Sequence, residues 1–442
     1  MEGRYKQYPE YQRTDEIWLG EIPKHWTALK ISRLGVVKRG ASPRPIDDPK
    51  YFDENGEYAW VRIADVTASK TYLEETTQTL SDLGSNLSVK LEPGQLFLSI
   101  AGTVGKPCIN KIKACIHDGF VYFPEYKQDF KFLYYIFFAG EAYKGLGKFG
   151  TQLNLNTETV GGIKIGLPPL PEQQKIATFL DHETAKMDAL IEKKERLIAL
   201  LKEKRQAVIS HAVTKGLAPH VNMKDSGVEW LGEVPEDWEV SRMARYCKIF
   251  NGSTPSRANI EYWDKKEIPW LSSGVVNQYH IIEPTEFISL KALKECSINL
   301  VPAGTLVMGM IGQGRTRGLS AITNFEATIN QNLAAIVPDA RIESVYLHYF
   351  LQTAYDYLRE AARGGNQAAL NCELIGDFKI CIPPLDKQKL IVYFLENQTR
   401  AIDQLIRKTH QVIETLNERK TALISVAVTG KIDVREWEAP AG

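Results

Sequence analysis

Two stretches of the chain set basic side chains among glycines: Ala101-Gly-Thr-Val-Gly-Lys106 and Gly312-Gln313-Gly-Arg315-Thr-Arg317-Gly318. Glycine lets a backbone come close to a partner, and the guanidinium fork matches phosphate or the guanine edge bidentately. The first stretch imitates a nucleotide phosphate loop but lacks its parts. Its leading glycine would be Ile100, and Pro107 stands where the magnesium-binding hydroxyl belongs. Lys38-Arg39-Gly-Ala-Ser-Pro-Arg44 and Asn251-Gly-Ser253-Thr254-Pro-Ser-Arg257 join small polar residues to arginine, which suits phosphate contacts. Arg62, Lys148 with Gln152, and Arg363 with Asn366 and Gln367 complete the candidate set. Gly145-Leu-Gly147-Lys-Phe-Gly150 has the spacing of a dinucleotide fingerprint. It follows a helical pattern and precedes a strand-like one, the reverse of what that fingerprint needs, so we read it as an exposed turn.

Residues for bond-making are missing. The adenine-methyltransferase signature, Asn or Asp before Pro-Pro and an aromatic, does not occur; the two Pro-Pro pairs follow Leu167 and Ile382. Glu192-Lys-Lys194 imitates the end of a nuclease motif but falls in a helical pattern and reads as a solvated face. His117-Asp118 has no repeated counterpart and no serine or cysteine pattern beside it, so it reads as structural. The 8 histidines show no H-x-x-x-H spacing and the 6 cysteines no C-x-x-C, so no metal site is expected. Lys+Arg and Asp+Glu both number 54, which leaves room for a basic face but not a basic whole. There is no apolar leader and no apolar run of about 18 residues, so a cytoplasmic chain is expected, with no membrane partner.

The elements that carry these residues are written twice. Trp18-Leu-Gly-Glu-Ile-Pro-Lys-His-Trp26 returns as Trp230-Leu-Gly-Glu-Val-Pro-Glu-Asp-Trp238. Residues 165–214 align without a gap on 380–429, with about two in five identical. Between these anchors Tyr58–Val66 resembles Ile268–Val276 and Leu91–Leu98 resembles Leu300–Val307, with drifting offsets. Similar frames with divergent loops suit two binding heads on one scaffold.

After each Pro-Pro pair comes a long helical pattern without internal Gly or Pro. Ile176, Leu180, Met187, Leu190, Leu197, Leu201 and Val208 recur at heptad-like steps, as do Ile391, Leu395, Ile402, Leu405, Val412, Leu416 and Leu423. At 1.5 Å per residue each helix would run roughly 60 Å. Each offers the other a matching seam, and the intervening head favours an antiparallel pair. The expected fold is mixed α/β: two similar recognition domains joined by two long helices in an antiparallel coiled coil, with pseudo-two-fold duplication. The expected divisions are a first head at 1–164, a first helix at 165–217, a second head at 218–379, a second helix at 380–430 and a tail at 431–442. Leu96–Ile100 and Thr305–Met310 read as buried strands, and Phe130–Ala142 and Val345–Ala362 as aromatic-rich helices.

Over essentially its full length the chain resembles the specificity subunits of type I restriction-modification systems. Four doubled features carry the resemblance: the W-L-G-E-[I/V]-P-x-x-W opening, the Pro-Pro-Leu-x-x-Gln runs at Pro168 and Pro383, the long helices, and the closing Ala-Val-Thr at 212–214 and 427–429. The opening Tyr8–Asp15 leader departs from Met223–Val228, which blurs the edge of the first head. The resemblance implies a non-catalytic subunit that binds double-stranded DNA, each head reading one half of an asymmetric split site. It implies helices that set the spacer and dock two methylation subunits, which carry S-adenosylmethionine, with restriction subunits joining them. A standalone DNA-modifying enzyme would need the catalytic motifs that are missing. A coiled-coil adaptor without a DNA role would not need two large heads with divergent basic loops.

Overall fold

The computed structural model describes residues 5–144, 146, 155–312, 314–361 and 369–439. Two compact units result, and they do not follow the chain consecutively. One holds Met1–Lys194 with His410–Gly442, the other Glu195–Thr409.

Each head contains a five-stranded sheet of the same order. In the first head the strands run Lys38–Arg39, Phe120–Tyr122, Leu96–Ser99, Pro107–Asn110, Tyr72–Leu73. In the second they run Cys247–Asn251, Leu333–Pro338, Leu306–Gly309, Ser320–Thr323, His280–Ile281. The central strands Leu96–Ser99 and Leu306–Gly309 are buried at every position, as their unbroken apolar runs foretell. A second sheet places Tyr58–Val61 parallel to Ala114–Ile116 in one head and Ile268–Leu271 parallel to Thr328–Ile329 in the other. The aromatic helices are Phe130–Ala139 and Ser344–Thr353; the second breaks at Ala354 and resumes as Tyr355–Glu360.

The W-L-G-E motif builds a hairpin in both units. Gly20 and Gly232 sit at φ 60° and 57° and turn the chain into Glu21–Pro23 and Glu233–Pro235. The dissimilar leaders pair with these strands in one register: Tyr11 lies opposite Pro23, and Met223 opposite Pro235. The first leader also reaches inward. The Tyr8 hydroxyl donates to the buried Glu172 carboxylate at 2.7 Å, beside Trp26 Nε1 at 2.9 Å. In the second unit Lys387 takes the place of Glu172 and pairs with Asp237 at 2.6 Å.

The long helices span Leu170–Lys215 and Leu385–Val428. Within each unit the start of one lies beside the end of the other, so the pairing is antiparallel. Ile176, Phe179 and Leu180 share the first core with Leu423, Ile424, Ala427 and Val428; Ile391 and Leu395 share the second with Ile209, Ala212 and Val213. Asp188 meets Lys420 at 2.7 Å in one unit and Arg205 meets Asp403 at 3.0 Å in the other. The pairs occupy equivalent positions of the repeat.

The expected seam needs correction. Ile176, Leu180, Leu201, Ile391, Leu395, Ile402 and Leu423 are buried and Met187, Leu197, Val208 and Leu416 partly so, but Leu190, Leu405 and Val412 are exposed, at 40%, 46% and 42%. The residues that follow the exposed three, Ile191, Ile406 and Ile413, are partly buried, and Ile198, Ile209 and Ile424 are fully so.

Gln173 and Gln388 explain the Pro-Pro-Leu-x-x-Gln run. Each is fully buried. Gln388 Oε1 accepts the Glu343 N–H at 2.8 Å while Nε2 donates to the carbonyls of Arg341 and Pro383 at 3.0 and 2.8 Å. Gln173 does the same for Asp129 N–H and the Pro168 carbonyl at 3.1 and 2.8 Å. One amide thus fastens the start of the long helix to the start of the head helix.

Candidate nucleic-acid interface

In each head the edge strand of the five-stranded sheet runs into a glycine pressed against a turn. A Cβ on Gly40 would lie 2.1 Å from the His117 carbonyl oxygen, and one on Gly252 would lie 1.8 Å from that of Ile329. Only glycine allows this approach. One residue on, Ala41 and Ser253 donate their N–H groups to the carbonyls of Ile116 and Ile329 at 3.1 and 3.0 Å. Ser42 Oγ then donates to Asp118 at 3.2 Å, and Thr254 Oγ1 to Gln331. The repeated frame is therefore Gly, a small residue, a hydroxyl and Pro, facing a polar turn: His117-Asp118 in one head, Asn330-Gln331 in the other. By residue type His117-Asp118 has no counterpart in the second half, because the equivalent pair shares neither residue. Sheet register finds it: Ile116 pairs Val61, and Ile329 pairs Leu271.

The first of these turns lines an open cleft of about 470 Å³ with Ser42, Arg44, Trp60 and Arg62. Arg44 meets the Asp118 carboxylate at 3.3 Å, and Arg39 Nε donates to the Asp118 carbonyl. Burial holds the His117 imidazole below its ordinary range, so the ring is neutral at pH 7, and its Nδ1 accepts the Gly119 N–H at 2.8 Å.

The other sequence candidates fall into three groups. Lys38 and Asn251 are exposed on edge strands, and Arg62 is exposed with its guanidinium on Gln78. Lys106 and Arg257 are engaged within their heads. Lys106 Nζ donates to the carbonyls of Thr67 and Ser69 at 2.7 and 2.8 Å, and its partial burial lowers its pKa. The Arg257 guanidinium stacks on Trp263 at 3.6 Å and pairs Glu286 at 2.9 Å. Ser253 holds its turn through its backbone, accepting Trp270 Nε1 at 3.2 Å. Lys148, Gln152, Gln313, Arg363, Asn366 and Gln367 lie outside the described residues.

Arg315 and Arg317 belong to a loop with no equivalent of Lys106. Ser99 N–H donates to Lys106 O, and Gly309 N–H donates to Leu319 O, both at 3.0 Å; Gly105 and Gly318 precede these residues at φ 84° and 85°. Leu319 is therefore the counterpart of Lys106, and the two arginines lie in a longer loop. That loop is braced by residues the sequence did not single out. Tyr355 OH donates to Arg315 O at 2.7 Å, and Arg359 Nη1 donates to Gly314 O at 2.8 Å and Arg317 O at 3.2 Å.

The chain thus holds two copies of one frame with different polar side chains on the same turns. The family model of the type I restriction modification DNA specificity domain matches the chain twice, over residues 23–200 and 235–415. The chain belongs to this family. The specificity subunit of the type I restriction enzyme MjaIX of Methanocaldococcus jannaschii is 25% identical over 98% of this chain and 99% of its own length. That of EcoR124I/EcoR124II of Escherichia coli is 28% identical over 40% of this chain and 42% of its own. Among solved structures, a chain from work on assembly and conformational transition of the type I R-M system has a TM-score of 0.72 at 16% identity, covering 93% of this chain and 99% of that one. The HsdS subunit of Thermoanaerobacter tengcongensis has a TM-score of 0.53 at 16% identity, covering 93% and 98%. The mixed α/β heads and long helices are the architecture of this family. As a type I specificity subunit the chain supplies recognition rather than catalysis. Among the described residues, no helix is long and apolar enough to cross a membrane and no group of three potential metal ligands occurs.

Proposed function

We propose that each head of this subunit reads one half of an asymmetric, bipartite DNA site in the cytoplasm. The long helices fix the spacer between the halves and dock two methylation subunits. Those subunits carry S-adenosylmethionine and methylate adenine, and restriction subunits join the assembly. The observation that carries this reading is the pair of heads with one sheet order and unlike polar side chains on equivalent turns, as two readers of unlike sequences need. Exposed Leu190 and Leu405, at equivalent positions of the two helices, supply apolar surface for the docked subunits. Lys38, Arg39, Arg44, Arg62, Arg315 and Arg317 are the proposed DNA contacts. The deciding experiment exchanges residues 226–379 for the equivalent head of a relative and maps methylation in cells that also express the methylation subunit. One half of the methylated sequence should change and the other should stay. A change in both halves, or in neither, from a folded chimera refutes the reading.

A further inference from the structure

The two polar turns share one member's task and differ in the other's. His117 Nδ1 accepts the Gly119 N–H at 2.8 Å, and Asn330 Oδ1 accepts the Asn332 N–H at 3.1 Å. Gly119 and Asn332 are equivalent, since the next residues, Phe120 and Leu333, pair Ser99 and Gly309. The first member of each pair is therefore a brace that shapes the turn. The second member follows a different rule. Asp118 and Gln331 both accept the hydroxyl of the facing Ser42 or Thr254, but the rest of each side chain differs in chemistry: the other Asp118 oxygen faces Arg44 at 3.3 Å, and Gln331 ends in an amide nitrogen. The Asp118 side chain is 42% exposed beside Arg39 and Arg44, and Gln331 is exposed. A carboxylate among arginines on a surface that approaches DNA is out of place as a phosphate contact; its natural partner there is a donor on a base.

From this we infer that Asp118 and Gln331 are specificity-determining residues, each reading one base of its head's half-site. This rests on the heads being the readers, as proposed above. The chemistry names the bases. A carboxylate accepts only, and cytosine is the base whose major-groove edge offers a donor, N4, with no acceptor beside it. A glutamine amide both donates and accepts, as adenine N7 and N6 require. The Ser42 and Thr254 hydroxyls hold the readers in place, and Arg44 moves from Asp118 to the sugar-phosphate backbone as DNA arrives.

Since one frame carries Asp in one head and Gln in the other, each residue can be transplanted without disturbing the fold. The assembled complex of this chain with its methylation subunits is prepared as wild type, as Asp118→Gln and as Asp118→Asn. Methylation of a library of DNA sequences is then sequenced for each. Asp118→Gln should convert one position of one half-site from cytosine towards adenine, shifting its preference by roughly 10- to 100-fold. Asp118→Asn should relax that same position. The other half and the spacer should stay as in wild type. An unchanged site in both variants overturns the assignment while leaving the heads as readers. A uniform loss over all sequences, from complexes that still assemble, also overturns it and makes Asp118 a brace for Arg44. Wild-type methylation that shows no dependence on this chain for its sequence fails the underlying reading instead.

Discussion

Replacing Gln388 by Met tests whether one amide fastens helix to head. Methionine has nearly the same volume and reach, so packing is largely kept while both ends of the amide are lost. The part-buried Glu343 N–H then loses its acceptor, and the carbonyls of Arg341 and the buried Pro383 lose a donor. An orphaned buried polar group costs about 1–3 kcal/mol. One of the three bonds is buried and two are part-buried, which brings the expected loss to about 2–3 kcal/mol. For a unit of this size that lowers its melting point by about 10 °C. Gln388→Glu should be worse at neutral pH, because it keeps the acceptor but buries a charge where two donors stood. Calorimetry of the full chain, with amide hydrogen exchange over Ser344–Thr353, separates the loss in this unit from the other. A cost for Gln388→Met below about 1 kcal/mol, or a loss of protection spread equally over both units, would refute the reasoning.

His348 gives the second unit an acid limit. Burial, with His280 and Arg205 nearby, pushes its pKa from 6.5 down to about 3, so the unfolded chain takes up the proton first. Stability should be full above about pH 6.5 and fall by up to about 1.4 kcal/mol per pH unit as pH drops towards 3, and His348→Gln should flatten that slope in pH-dependent denaturation. Gly252→Ala forces a Cβ onto the Ile329 carbonyl and should cost about 3 kcal/mol or more while Gly274→Ala, with open space around it, stays near wild type by melting temperature. Inserting seven residues between Lys194 and Glu195 lengthens one arm by about 10 Å, or about three base pairs. The preferred gap between half-sites should grow with both halves unchanged; inserting two residues turns the seam by about 200° and should abolish assembly in a methylation assay.

The duplication, the mixed α/β heads and the long helices were legible because each rests on local patterning: repeated motifs, unbroken apolar runs and helix periodicity. What stayed hidden depends on register between distant segments. Asn330-Gln331 could not be matched to His117-Asp118 by type, and only the pairing of Ile116 and Ile329 with their neighbours aligns them. Lys106 looked like a DNA contact because its loop is glycine-rich, yet Thr67 and Ser69 lie 39 and 37 residues away in the chain and their carbonyls hold its ammonium. Leu190 and Leu405 are exposed although Leu197 and Leu423, further along the same helices, are partly or fully buried, so counting in sevens does not by itself pick out the buried face.

The first compact unit is closed by the last part of the chain. Lys6 bridges Asp433 through the backbone, Trp437 meets Phe179 edge-on at 5.3 Å, and Leu423, Ile424 and Val428 complete the core around Ile176 and Leu180. Unit two, by contrast, is a single continuous stretch from Glu195 to Thr409. During synthesis from the N-terminus the order of completion is therefore the reverse of the order of appearance. The first head emerges early but waits, with the apolar face of its helix uncovered, until some 200 further residues have been made. At about 5–20 residues per second that interval is roughly 10–40 s, long enough for a nascent chain to need protection from its neighbours on the same messenger.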